Sequence, residues 1–204
     1  MNRLDFIGTG VAVGALAGSI APAAAAESLE VDAKALDAFR NGVTAKHRQS
    51  FGSISVRSAT VLHHAANSVN AYKSGAMDAG DPHLTAAVIL FGPAALLGLD
   101  DAFWKSTLDD AYFTEIHDTA AQVNGRNPYA SDARELIASG NAIFICNNAL
   151  HGVTGVLARR TQKTPAEIYA RARANFIPGA ILVPAGVAAV NALQESRFTY
   201  LQSA

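Results

Sequence analysis

The sequence predicts an α/β protein built on a mostly parallel sheet covered by helices. Three observations lead there. Continuous apolar runs at residues 83–92, 142–145 and 180–184 are short, and Gly92-Pro93 and Pro184 close two of them, as expected for strands covered on both faces. Between the runs lie segments whose apolar residues recur at helical spacing, such as Val61, Leu62, Ala65, Ala66, Val69 and Tyr72. Strands that alternate with helices imply parallel βαβ units, whose crossovers place the C-terminal strand ends on one rim.

Composition narrows the class. The chain has 204 residues, enough for one domain, with 50% hydrophobic and 16% charged residues. Sixteen Lys and Arg stand against seventeen Asp and Glu, so there is no basic footprint for nucleic acid or an anionic membrane. A single cysteine excludes a disulfide within the chain, and no zinc spacing is present. No metal and no cofactor are expected.

Taken in order, residues 1–26 read as an export signal. A short polar start precedes a Gly- and Ala-rich apolar stretch, and a small-residue site ends near Ala26. Asn2-Arg3-Leu4-Asp5-Phe6 is like a twin-arginine signal with leucine in place of the second arginine, which leaves the export route open. The mature chain would then work in a periplasm. Residues 27–49 form an N-terminal helical extension, and residues 50–204 form the α/β domain. Within 45–53 a connector or short first strand is expected, followed by a helix from about Arg57 to Lys73 that stops at Gly75. Strand 83–92 leads to a short helical turn over 94–99. A helix capped by Asp100 or Asp101 follows, then further helix within 112–124. Ser131 is the expected cap of a helix that Ser139-Gly140 ends. Strand 142–145, helix 147–160, a helix opened by Thr164-Pro165, strand 180–184, helix 187–193 and a last strand within 198–201 complete the chain.

Cys146 ends one strand and begins the next helix, in the stretch Gly140-Asn141-Ala142-Ile143-Phe144-Ile145-Cys146-Asn147-Asn148. Exposed N–H groups and the macrodipole at a helix start stabilise an anion, and a thiolate is the nucleophilic form of cysteine. The competing role is that of a small apolar filler, since free cysteine is commonly buried. Asn147 and Asn148 are candidate binding residues through their backbone N–H groups. His151 is a candidate rim residue, although five positions on a helix turn it about 140° from the thiol. His63 and His64 point different ways on one helix, and His83 and His117 lack partners at ligand spacing. Trp104 suits a core or interface anchor.

Three blocks carry a family resemblance. The segment 140–148 resembles the fourth-strand cysteine element of the DsrE/DsrF-like sulfur-relay family. Leu182-Val183-Pro184-Ala185-Gly186-Val187 resembles that family's "VPxGV" turn, and residues 193–201 resemble its "LQxxGxxYL" tail, with Arg197 where glycine is common. His63 to Tyr72 and Leu97 to Trp104 are similar to its exported branch. The resemblance implies a three-layer fold with about five strands and a homo-oligomer. It also implies a sulfurtransferase-like role in which the matching Cys146 carries a persulfide between a sulfur donor and an acceptor, either proteins or small sulfur compounds. Two other roles stay open: a non-enzymatic oligomeric binding or assembly module with an inert cysteine, and a thiol redox sensor.

Overall fold

The computed structural model describes residues 33–115 and 125–203. The export signal expected at 1–26, His117, and residues 116–124 of the stretch expected to hold further helix within 112–124 lie outside the described residues.

Among the described residues five strands form one sheet: β1 (His47–Ser53), β2 (Leu84–Leu90), β3 (Ala142–Cys146), β4 (Ile181–Val183) and β5 (Thr199–Gln202). Their order is β4-β3-β2-β1-β5 and every neighbouring pair is parallel. The alternation of each central strand splits its side chains between two cores. Val88, Leu90, Ile143 and Ile145 enter one core, while Ala87, Ile89, Phe144 and Val183 enter the other. Because both faces are covered there, β2, β3 and β4 read in the sequence as nearly unbroken apolar runs.

Helices form the outer two layers of the α/β sandwich. Residues 33–42 are helical (α1), and with α8 (Gly186–Glu195) they cover the second face through Leu36, Ala189 and Leu193. The first face carries α2 (Thr60–Lys73), α5 (Ala130–Ala138), α6 (Asn147–Thr161) and α7 (Pro165–Ala174). Two short helices, α3 (Asp101–Thr107) and α4 (Asp110–Glu115), extend that layer. As expected, Asp100 caps α3, accepting hydrogen bonds from the Ala102 and Phe103 N–H groups. Trp104 is the largest side chain fully inside; its indole N–H donates to the Leu96 carbonyl over 2.9 Å, and its ring stacks on Phe113. Among the described residues no helix is long and apolar enough to cross a membrane.

Two local expectations need correction. The helix expected from Arg57 starts at Thr60, because Arg57, Ser58 and Ala59 all hold left-handed backbone, with φ of 35°, 51° and 57°. This strained turn seats Val56 and Ala59 in the core before the helix begins. Ser131 does not cap α5, which begins one residue earlier. The preceding turn is organised by Asn127, whose amide donates to the Leu99 carbonyl and accepts from the Tyr129 N–H. The short helical turn expected at 94–99 is present as a 3₁₀ segment, Gly92–Gly98. Arg197 adopts φ 68°, the backbone region that favours glycine, in the turn between α8 and β5.

Candidate functional site around Cys146

Strand β3 is buried along its whole length and delivers Cys146 to the sheet's C-terminal rim. Cys146 leaves the strand with extended backbone (φ −71°, ψ 119°) and occupies the N-cap position of α6. Its Sγ accepts a hydrogen bond from the Ala149 N–H at 3.5 Å. Serine, threonine, aspartate or asparagine normally fills such a position. Here a thiol sulfur receives the free N–H, and the first turn of α6 carries no acidic side chain to compete with it.

The course of the chain distinguishes this position on the rim. After β3 the chain turns to the first face, where Leu150, Val153 and Leu157 of α6 enter the core. After β4 it turns to the opposite face, where Ala189 and Leu193 of α8 do so. Adjacent parallel strands whose chains depart to opposite sides leave a crevice between their C-terminal ends, where ligands bind in open α/β sheets. Cys146 lies on one lip of this switch point and Pro184-Ala185-Gly186 on the other. The lips touch: a side chain on Gly186 would collide with the Phe91 ring, and its Cβ would lie 3.1 Å from the Cβ of Cys146. The thiol is thus close-packed and only 6% exposed, while Val187, which follows Gly186 in the chain, is 72% exposed. An apolar hollow of about 240 Å³ adjoins the site, lined in part by Gly92, Pro93, Ala149 and Val153.

The other candidates from the sequence fall into two groups. Asn147 and His151 are brought together by Tyr169 of α7, a residue the sequence did not single out. The Tyr169 hydroxyl donates to Asn147 Oδ1 at 2.6 Å, and the His151 and Tyr169 rings stack with centroids 4.1 Å apart and planes within 4°. Burial pushes the His151 imidazole below its ordinary pKa. Its ring packs against α7, consistent with the angular separation along α6. Asn148 is exposed on the first turn. Tyr169 lies 22 residues from Asn147 along the chain, so no local spacing signals their contact.

The other histidines singled out in the sequence that fall among the described residues lie elsewhere. His63 pairs with Asp132 at 3.3 Å, His64 with the Ser203 hydroxyl at 2.6 Å, and His83 approaches Asp81 at 3.7 Å. Among the described residues no group of three or more His, Cys, Asp or Glu is placed to hold a metal ion. No protein-family model matches the chain, and no curated protein matches it.

Proposed function

We propose that the protein is a sulfur carrier that takes up and hands on a sulfane sulfur through Cys146, as the DsrE/DsrF-like resemblance implies. The observation that carries this reading is the thiol at the start of α6, its sulfur already accepting a backbone N–H, on the lip of the switch point between β3 and β4. The left-handed Arg197, standing where that family commonly has glycine, fits the same reading.

The chemistry is thiol exchange and needs no external oxidant. The Cys146 thiolate attacks the outer sulfur of a donor persulfide, R–S–SH. The donor S–S bond breaks, its electron pair leaves on RS⁻, and a new S–S bond forms on Cys146. An acceptor thiolate then attacks the outer sulfur, takes it as R′–S–SH, and restores the Cys146 thiolate. The N–H of Ala149 is placed to stabilise negative charge on Sγ whenever the inner sulfur is the leaving group. Carriage would take place in the periplasm, in a homo-oligomer free of the membrane.

The close packing of Cys146 favours a second reading, in which the thiol is inert filler in an oligomeric binding or assembly module. Intact-mass measurement after incubation with polysulfide or thiosulfate separates the two. The carrier gains the mass of sulfur in the wild type and not in Cys146→Ala. A wild-type mass that stays unchanged supports the inert module. A dimer of crosslinked chains on a non-reducing gel supports the redox sensor.

A further inference from the structure

A cavity of about 680 Å³ lies away from Cys146, in a groove between α2 and α5. Both helices run from the C-terminal rim to the opposite end of the sheet, since each leads back to the start of the next strand. The groove floor is apolar: Leu62 and Leu136 are buried, and Ala66 and Val69 are half-buried. Its charges are segregated along its length. Asp132 and Glu135 of α5 mark the rim-side half, where Asp132 already bridges to His63 of α2. Lys73, at the last turn of α2, marks the far end beside Asn70. Glu135, Lys73 and the Asn70 amide make no side-chain hydrogen bond or ion pair among the described residues. Three polar side chains without partners thus face a concave, apolar-floored space.

The separation of those charges has a definite length. Asp132 is level with His63, so Glu135, one turn further along α5, is level with Ala66 of α2. Seven residues of helix separate Ala66 from Lys73, or about 10 Å at 1.5 Å per residue. An extended chain covers that distance in about three residues. We propose that this groove binds a short apolar peptide of three to four residues. Its free amino group meets Glu135 and Asp132, and its terminal carboxylate meets Lys73 and Asn70. The apolar floor accepts the side chains between, and the volume lies in the range of small-ligand sites.

The test is calorimetric titration of the full-length protein with leucyl-alanyl-leucine in three forms: free-ended, N-acetylated and C-amidated. The free-ended peptide is expected to bind. Acetylation or Glu135→Gln weakens it about five-fold, and amidation or Lys73→Gln does the same, as for a partly exposed ion pair worth about 1 kcal/mol. Amidation is expected to cost Lys73→Gln nothing further, which ties the carboxylate to that residue. Both substitutions are at exposed positions and leave the core intact. No heat at millimolar peptide, or equal binding of all three forms, overturns the proposal.

Discussion

At Cys146 one sulfur atom has two tasks. It caps α6 through the Ala149 N–H, and it packs at the switch point beside Gly186. The packing that holds it explains why Gly186 tolerates no side chain. Gly186→Ala puts a methyl group into the Phe91 ring and against Cys146. A loss of about 1–3 kcal/mol in denaturant unfolding is expected, in line with overpacked cores. A variant as stable as the wild type would show that the two lips can move apart. His151 permits a second residue-scale test. Its pKa is lowered by burial in the folded protein, so the unfolded chain binds a proton more readily. Its contribution is therefore fully present above the ordinary histidine value and is lost as pH falls below about 6.5. The melting temperature of His151→Gln should fall less than that of the wild type between pH 7.5 and 5. Parallel curves would contradict the assigned cause.

Arg48 shows how one side chain joins elements distant in sequence. From β1 its guanidinium donates to the carbonyls of Val43, Ala45 and Ser196, which ties the α1–β1 connector to the end of α8. Arg48→Ala would leave three carbonyls without that donor. A destabilisation of about 2 kcal/mol or more is expected, because hydrogen bonds to charged groups are worth more than neutral ones. A change under about 0.5 kcal/mol would mean that water replaces the guanidinium. Nothing in the sequence around Arg48 announces this joint, whose partners lie up to 148 residues away. Strands β2 and β3 were legible because burial on both faces leaves an unbroken apolar run. Strand β5, expected within 198–201, is present at Thr199–Gln202 although it is a short edge strand, largely exposed. The left-handed turn at Arg57–Ala59 was illegible for a different reason. Core packing of Val56 and Ala59 overrides local preference there, without the glycine that would normally mark such backbone.

For the whole molecule, the direction in which the chain leaves each strand matters more than any single motif. The chain leaves β3 towards one face and β4 towards the other, so the switch point falls beside the only cysteine. Cys146 could be placed on the rim from the βα pattern alone. Its packing contacts there could not be read, because Phe91 and Gly186 come from separate strand ends and meet only once the sheet is assembled. The Tyr169 contact with Asn147 and His151 was hidden for the same reason. The most direct test of the account is a sulfur-transfer cycle on the intact protein. The chain is loaded with polysulfide, freed of excess donor, and mapped by peptide mass before and after addition of a small thiol acceptor. The account predicts one added sulfur on the peptide holding Cys146, lost again as the acceptor gains it. Sulfur uptake only after the protein is denatured would contradict it, showing Cys146 to be a packing residue that the native fold withholds from donors.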